Sequence, residues 1–486
     1  MQYLSTRDSA LRVSAQEAIV RGLAPQSGLF VPETFPQADL DAWKNLSYPE
    51  LAEKVLAGFL TDYSADFLHT ATASTYGAAF GGKAGETVRV RDGLYSLELW
   101  HGPTCAFKDY ALQLMPKLLV EAKKMLGRTE TTRILVATSG DTGKAALAGY
   151  ADLDGIEIEV FYPNDGTSEI QHLQMATQKG ENVQVYAVQG NFDDAQTGVK
   201  KVFADADVAA ELEKRGIRLS SANSINWGRL VPQIVYYFYA YFRLAEQGAV
   251  EWGKPVDFCV PTGNFGDILA GYYAKQMGLP VGRLVCASNK NNVLTDFLST
   301  GTYTAKREFY KTTSPSMDIL VSSNLERLLY HVTGSDAEVA GLMKSLNETG
   351  RYTVRPETLK AIQESFDCGW SSEEQVAGEI RARYEKDGYL CDTHTAVAFH
   401  VAAQKKRDGV PMVVLSTASP FKFPRSVLEA LGHTAPENDF EAMQALEEAT
   451  GCTAPASLAV LRQKAERFST VIDPAQIAEV ALGCQA

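Results

Sequence analysis

Short apolar segments alternate with helix-like segments from about residue 130 to residue 290, and this alternation limits the fold more than any other feature. Apolar runs bounded by turn residues indicate buried strands, and helical stretches between them indicate crossover connections. The pattern predicts an α/β fold with a parallel sheet covered by helices on both faces. Functional residues are then expected in the loops after the strands, because ligands of such sheets bind beyond the strands' carboxyl ends. The predicted strands are TRILVAT, EIEVFYP, VQVYAV, VDFCVPT and GRLVCAS, followed later by VPMVVLSTAS.

The regions outside this alternation have other patterns. Residues 1–85 mix helix-like pieces with loops, and residues 431–486 are mostly helical with Pro and Gly breaks. A length of 486 residues also suggests two or three domains. We predict an N-terminal domain over 1–85, a central region of two α/β subdomains over 86–430, and a C-terminal helical segment over 431–486.

Charge and cysteine usage restrict the partners and the setting. The net charge of −13 argues against a nucleic-acid or anionic-membrane partner and means that an anionic substrate needs a local basic pocket. The apolar stretch VPQIVYYFYAYFRLA contains Gln233 and Arg243, so it predicts a buried helix rather than a membrane span. Seven scattered cysteines without a CxxC, and an N-terminus without an apolar signal core, favour a reduced, cytoplasmic protein.

One lysine, Lys108, stands in HGPTCAFKDY directly before DYALQLMPKLLVEAKKML, a run that predicts one long helix. A helix N-terminus carries partial positive charge, so a lysine there has less reason than usual to stay protonated. Lys108 is therefore either a surface residue at a helix start or an amine kept neutral for chemistry.

The loop SGDTG follows the strand TRILVAT and opens a helix. Glycines and small hydroxyl residues at a helix start let backbone N–H groups converge on an anion. The alternative is an ordinary strand-to-helix turn with Asp or Thr as its N-cap. The carboxylate of Asp141 would repel an anion unless it points away. The candidate residues are Ser139, Gly140, Asp141, Thr142 and Gly143.

Two further loops follow predicted strands. In PTGNFGD, glycines flank Asn-Phe before a helix, an arrangement that forms a phosphate-binding nest or, alternatively, a glycine turn. In LSTASPFKFP, Thr417 and Ser419 present hydroxyls at a strand end, or form a polar turn finished by Pro420. The sequence contains no GxxxxGK[ST], GxGxxG, GxSxG or HExxH, so we predict no nucleotide loop, hydrolase elbow or metal site. His394 is expected to be a hydrogen-bonded structural residue.

A helix-start lysine, a phosphate nest and a second anion loop on one α/β sheet fit pyridoxal phosphate. The lysine amine would bind the aldehyde of the cofactor, the nest would hold its phosphate, and SGDTG would hold a substrate carboxylate.

With these motifs the sequence resembles the threonine synthase family, pyridoxal-phosphate enzymes of fold type II related to the tryptophan synthase β subunit. The most specific matches are HGPTCAFKDY, TSGDTGKAA, NSINWGRLVPQ and PTGNFGD, while YLSTRD and GLAPQSGLFVP resemble the longer members with an extra N-terminal domain. The resemblance implies that Lys108 binds the cofactor covalently, that Thr417 faces its pyridine nitrogen, and that a loop holds its phosphate. The loop residues are Gly263, Asn264, Phe265 and Gly266, followed by Asp267.

The chain departs from the family pattern at two places. Asp267 stands where several relatives have Asn, and we expect it to cap the following helix rather than touch the phosphate. TASPFKF replaces TAHPAKF, so Ser419 stands where many relatives have His.

The resemblance also implies a lyase of threonine biosynthesis that converts O-phospho-L-homoserine and water to L-threonine and phosphate. SGDTG would hold the substrate carboxylate, and Ser224, Asn226 and Arg229 of SINWGR its phosphate, with Lys144 as a second candidate. A surface salt bridge is the alternative for Arg229. Competing hypotheses are a phospholyase of the same fold that gives 2-oxobutanoate, and a non-catalytic binding protein. A monomer or small homo-oligomer is expected.

Overall fold

The structure is a computed structural model that describes residues 1–164 and 167–483. Within those residues the strands are β1 (Tyr3–Ser5), β2 (Asp8–Val13), β3 (Phe30–Pro32), β4 (Glu86–Arg91), β5 (Leu94–Glu98), β6 (Thr131–Ala137), β7 (Ile156–Pro163), β8 (Val183–Val188), β9 (Ile217–Ser220), β10 (Val256–Pro261), β11 (Val281–Ser288), β12 (Thr302–Thr304), β13 (Arg351–Thr353), β14 (Phe366–Trp370), β15 (Met412–Ser416) and β16 (Val471–Ile472).

The helices, in the same order along the chain, are α1 (Ala15–Arg21), α2 (Leu40–Trp43), α3 (Tyr48–Phe59), α4 (Ala65–Tyr76), α5 (Asp109–Leu112), α6 (Met115–Met125), α7 (Asp141–Tyr150), α8 (Glu169–Ala176), α9 (Phe192–Ala204), α10 (Ala206–Lys214), α11 (Trp227–Leu230), α12 (Ile234–Glu246), α13 (Gly266–Gln276), α14 (Val293–Thr300), α15 (Leu325–Thr333), α16 (Asp336–Thr349), α17 (Pro356–Gln363), α18 (Glu373–Asp387), α19 (Thr393–Lys405), α20 (Pro424–Ala430), α21 (Asp439–Thr450), α22 (Ala456–Ala459) and α23 (Ile477–Ala481).

Two sheets form the centre of the protein, and nearly all of their strands pair in parallel, as the apolar strand pattern predicts. The first is five-stranded, in the order β16-β8-β7-β6-β9, and all of its strands are parallel. The second is six-stranded, in the order β14-β11-β10-β15-β5-β4, with only the edge strand β4 antiparallel. Small antiparallel sheets, β2-β1-β3 and β12-β13, lie outside them.

The six predicted strands are all present, but they do not belong to one sheet. β6, β7 and β8 lie in the five-stranded sheet, whereas β10, β11 and β15 lie in the six-stranded sheet. The prediction that the anion loops belong to one sheet is therefore wrong. Strand periodicity reports burial and not which strands pair, so the apolar pattern does not assign each strand to one of the two sheets.

The predicted long helix after Lys108 is two helices, α5 and α6. Pro116, in the first turn of α6, has no N–H and its ring excludes a helical carbonyl four residues earlier, at Leu112. The freed carbonyl of Leu112 faces α7, where a Cβ on Gly149 would lie only 1.9 Å from its oxygen. This close contact sets the distance between the Lys108 segment and the helix that starts at Asp141.

The apolar stretch predicted as a buried helix is α12, preceded by a short 3-10 turn. Tyr236, Tyr237 and Phe238 are completely buried in it. No helix in the described ranges has the length and apolarity needed to cross a membrane. Six cysteines are free thiols, and Cys484 lies outside the described residues.

The segment after residue 430 contains the helices α21, α22 and α23, and it also supplies a strand. β16 pairs in parallel with β8 and closes one edge of the five-stranded sheet. A strand of two residues is too short to give an alternating pattern, which is why the sequence does not reveal it.

We predict that Gly149→Ala destabilises the protein, because the added Cβ would collide with the Leu112 carbonyl. Overpacking of this kind costs about 1–3 kcal/mol, and the backbone contact leaves no flexible side chain to give way. Gly341→Ala, in α16, is the matched control: no atom lies within 4 Å of its new Cβ, and the exchange should raise stability by about 0.5–1 kcal/mol. Urea unfolding of both variants tests this, and equal effects would contradict the packing argument.

Candidate active site

The segment that carries Lys108 is joined to the loop after β15. The N–H of Phe107 donates to the Thr417 carbonyl at 2.8 Å, and the N–H of Ser419 donates to the Cys105 carbonyl at 3.1 Å. Ala106 and Ala418 form an antiparallel bridge between these two hydrogen bonds. Thr417 is therefore held one hydrogen bond away from the residue that precedes Lys108.

Lys108 is buried at the start of α5, with 9 % of its surface exposed, so the surface interpretation is wrong. Its Nζ lies 3.8 Å from Asp141 Oδ2 and 4.7 Å from the centre of the Phe107 ring. Burial lowers the pKa of Lys108 to about 8; Asp141 opposes this shift, and Lys422 and Arg229 add to it. The helix dipole is a weak cause, because α5 has only four residues.

The carboxylate of Asp141 is paired with two lysines and does not face an anion. Lys422 Nζ lies 2.6 Å from Asp141 Oδ1, and Gln171 Nε2 donates to the same oxygen at 3.1 Å. Burial alone would raise the pKa of Asp141, but Lys422 and Lys108 together hold it well below its ordinary value. The repulsion expected between Asp141 and a bound anion is thus cancelled within the protein.

The SGDTG turn is built by the residue before it. Thr138 Oγ1 accepts from the N–H groups of Gly140 and Gly143, both at 3.0 Å. The N-cap of α7 is Gly140, whose φ of 138° lies where side chains are rarely tolerated, so the alternative of an Asp or Thr N-cap is wrong. Asp141 and Thr142 begin α7, where backbone N–H groups have no partner within the helix. Ser139 stands half-buried at the end of β6.

The loop of residues 263–266 lies at the end of β10 and is held through its carbonyls. Ser322 Oγ donates to Gly263 O at 2.8 Å, and the N–H and the side-chain amide of Asn324 both donate to Asn264 O at 3.1 Å. Phe265 has a φ of 65° and is followed directly by Gly266, the first residue of α13. With its carbonyls bound elsewhere and a helix starting at its end, the loop suits a phosphate.

The two glycines of this loop have different roles. A Cβ at Gly263 would lie 2.9 Å from the backbone oxygen of Ser316, whereas the atom nearest to a Cβ at Gly266 would be Asn324 Nδ2, at 3.4 Å. Neither glycine has a positive φ; Phe265 is the residue with the left-handed backbone. Close approach of two backbones, rather than a special φ, therefore requires Gly263.

Asp267 does not cap α13, contrary to expectation. It is buried, and its Oδ1 accepts from the hydroxyls of Tyr236 at 2.5 Å and Tyr237 at 3.2 Å. Burial raises the pKa of Asp267 to about 7, and the two tyrosine hydrogen bonds oppose the rise. Asp267 thus connects the loop of residues 263–266 to α12.

The three SINWGR candidates have different surroundings. Asn226 is the N-cap of α11, accepting from Gly228 N at 2.9 Å, and its Nδ2 donates to Ile19 O at 3.0 Å. Ser224 Oγ accepts from Asn324 Nδ2 at 3.3 Å. Asn226 therefore has a structural function that connects the site to α1, while Ser224 borders the phosphate loop.

Arg229 is buried, so the alternative of a surface salt bridge is wrong. Its Nη1 donates to the Ala222 carbonyl, and its Nε is buried without a hydrogen-bond partner among the described residues. Burial lowers the pKa of Arg229 to about 10. A buried guanidinium with an unused N–H is suited to an anionic ligand. Lys144 is half-buried, its Nζ 2.5 Å from Gln178 Oε1, and burial lowers its pKa to about 8.

His394 holds a neighbouring loop in place. The N–H of Ser316 donates to Nε2 at 3.1 Å, so Nδ1 carries the proton that Asp392 accepts at 2.7 Å. Ser316 in turn packs against Gly263 and places its Oγ 3.4 Å from Asp141 Oδ2. The structural interpretation of His394 agrees with these contacts.

Lys422 and Arg327 were not identified from the sequence. Lys422 stands in the TASPFKF loop, whose predicted function rests on its hydroxyls, and this motif is the sequence signal that points to the lysine. Arg327 is fully buried: its Nε donates to Phe30 O at 2.9 Å, its Nη2 to Ile225 O at 2.6 Å, and its Nη1 to the side chain of Asn324. No local pattern marks it, because two of its three partners, Phe30 and Ile225, are distant in sequence.

Comparison with known proteins identifies the relatives of this chain. The family model "Pyridoxal-phosphate dependent enzyme" matches residues 86–419, "Threonine synthase N terminus" matches 2–76, and "Threonine synthase, C-terminal" matches 395–481. Threonine synthase of Pseudomonas aeruginosa is 40 % identical over 459 residues, covering 93 % of this chain and 95 % of that protein. Human threonine synthase-like 1 is 40 % identical over 452 residues, and the match covers 88 % of this chain but only 60 % of that longer relative.

A solved structure is similar over the full length. The crystal structure of pyridoxal-phosphate-bound threonine synthase from Brucella melitensis has a TM-score of 0.89 and 38 % identity, with 100 % of this chain and 99 % of that chain covered. Two parallel sheets with a buried lysine and a phosphate-type loop, together with the matched family model, define a pyridoxal-phosphate enzyme of fold type II. Within that class, the chain belongs to the threonine synthase family.

We predict that Gly263→Val weakens binding of pyridoxal phosphate, because the new side chain would push the loop away from the Ser316 backbone. Gly266→Val should also weaken binding if the cofactor phosphate approaches this residue closely. Titration of the cofactor by absorbance gives both affinities, and Gly341→Ala serves as the control. Unchanged affinity in both loop variants would remove the loop from the cofactor site.

Proposed function

We propose that the chain is a threonine synthase that converts O-phospho-L-homoserine and water to L-threonine and phosphate. The observation that carries the proposal is the buried amine of Lys108, 3.8 Å from a carboxylate that Lys422 already neutralises. An amine so placed has a pKa lowered to about 8, so a larger fraction of it is neutral near physiological pH than of an ordinary lysine. The neutral amine can act as a nucleophile and as a base.

We propose that Lys108 binds pyridoxal phosphate covalently and that the loop from Gly263 to Asp267 holds its phosphate. When bound, the cofactor supplies an aldehyde for the amine and a ring that takes up electrons from the substrate carbon. Thr417 is proposed to face the pyridine nitrogen, where a hydroxyl does not force protonation as a carboxylate would. The loop fits this function because Ser322 and Asn324 bind its carbonyls and α13 starts at its end.

Lys108 is also proposed to move protons at three substrate carbons. Its free amine would remove a proton from Cα and release it before it removes a second proton from Cβ, after which phosphate leaves from Cγ. The amine would then return a proton to Cγ, water would add its hydroxyl at Cβ, and Cα would regain a proton before L-threonine is released. One base within reach of all three carbons suffices, since a lysine has four rotatable bonds.

The substrate's two anionic groups are proposed to bind on opposite sides of Lys108. The N–H groups at the start of α7, with Ser139 and Thr142, would bind the carboxylate. Arg229, with Ser224, would bind the phosphate, since its Nε is a buried donor without a partner among the described residues. Lys144 is the second candidate for the phosphate.

The same site also fits a phospholyase that releases 2-oxobutanoate, and product analysis separates the two reactions. Incubation with O-phospho-L-homoserine should yield threonine and phosphate in equal amounts. 2-Oxobutanoate as the main product would favour the phospholyase, and no turnover would favour a binding protein. We also propose a cytoplasmic enzyme, a monomer or small homo-oligomer, without nucleic-acid or membrane partners; the net charge of −13 and the six free thiols support this.

We predict that Lys108→Ala abolishes turnover, because it removes both the covalent anchor and the base. Borohydride reduction of the parent enzyme followed by peptide mapping should place the pyridoxyl label on Lys108. A label on any other lysine would overturn the assignment.

We predict that Arg229→Leu lowers kcat/KM for O-phospho-L-homoserine. Loss of charge-assisted hydrogen bonds in a buried site costs on the order of 2–4 kcal/mol, or roughly 30- to 1,000-fold in catalytic efficiency. Vinylglycine has the amine and the carboxylate but no phosphate, so its binding, followed by cofactor absorbance, should change little. An equal loss with both compounds would make Arg229 structural and favour Lys144.

A further inference from the structure

We propose that Lys422 is a positioning residue that acts as the permanent counter-ion of Asp141 and so leaves the amine of Lys108 free to be neutral. This inference deepens the proposed function, on which it rests. It assigns to Lys422 an electrostatic effect on Lys108 without contact with substrate or cofactor.

The geometry distinguishes the two lysines that share Asp141. Lys422 Nζ lies 2.6 Å from Oδ1, within hydrogen-bond distance, whereas Lys108 Nζ lies 3.8 Å from Oδ2, beyond it. Lys422 is completely buried and Asp141 is 3 % exposed, so neither charge is screened by solvent. The closer, hydrogen-bonded lysine is the one that compensates the carboxylate.

Lys422 is fixed by further contacts that Lys108 lacks. Its Nζ donates to the Thr104 carbonyl at 3.1 Å, and its N–H donates to the Ser419 carbonyl at 3.0 Å. Ser419 Oγ caps the short 3-10 turn of Pro420–Lys422 by accepting from Phe421 N at 3.3 Å. A lysine held in this way keeps its position, whereas Lys108 has to move during the proposed reaction.

The charges facing Lys108 come from four different elements. Asp141 at the start of α7 and Asp267 in α13 favour the protonated amine, while Lys422 and Arg229 disfavour it. The carboxylate of Asp267 already accepts hydrogen bonds from two tyrosine hydroxyls. Without Lys422, the carboxylate of Asp141 would need Lys108 as its counter-ion, because an unpaired buried carboxylate is costly.

The test measures the reactivity of the Lys108 amine, not turnover. The full-length chain, freed of cofactor and checked for folding by circular dichroism, is labelled with acetic anhydride between pH 6 and 10. Peptide mass spectrometry then gives the midpoint for Lys108, expected near pH 8 in the parent. Lys422→Met should raise this midpoint by at least one pH unit, about a tenfold loss of reactivity near pH 7. Lys422→Arg, which keeps the charge, should restore the parent profile.

Two further variants complete the test. Lys123→Met removes another buried lysine, one bound to the Glu130 and Gly155 carbonyls, and should leave the Lys108 midpoint unchanged. Asp141→Asn should lower the midpoint, and it carries the test if Lys422→Met does not fold. A parental midpoint in Lys422→Met or in Asp141→Asn would overturn the inference. A chain that shows these shifts but makes no threonine would instead overturn the proposed function alone.

Discussion

The buried carboxylate of Asp141, shared between Lys422 and Lys108, is the interaction on which the geometry of the site depends. The three residues of this cluster come from separate elements. Asp141 follows a strand of one sheet, Lys422 follows a strand of the other, and Lys108 starts a helix between them. A buried charge is tolerated only when it is paired. Any shift of one sheet against the other would leave such a charge uncompensated, so this cluster fixes their relative position at the site.

The acidic chain also produces a local basic region at this site. Lys422 and Arg229 are buried close enough to Lys108 to disfavour its protonation, although the net charge of the chain is −13. Low-dielectric surroundings strengthen such local fields relative to distant surface charges. The N-terminal domain contributes to the same region, because Arg327 connects Phe30 with Asn324, which holds the phosphate-type loop.

Much of the architecture can be predicted from local pattern. All six expected strands are present, the apolar stretch is the buried helix α12, and the motif loops follow strand ends. These features depend on residues close in sequence, which periodicity and turn chemistry report. The fold class and the family are confirmed by the comparisons, whereas the site assignments and the domain boundaries stay predictions.

The sequence by itself determined where strands, helices and glycine loops form, because backbone preferences and apolar spacing act over a few residues. Only the tertiary structure decided which strands share a sheet, that Asp267 is bound by tyrosines of α12, and that Lys422 is the counter-ion of Asp141. Pairing partners such as Asp141 and Lys422 are far apart in the chain, and burial of a charge depends on every element packed around it. Neither the identity of a pairing partner nor the burial of a charge is a property of a local segment. The protonation of Lys108 depends on both and is therefore decided only in the folded protein.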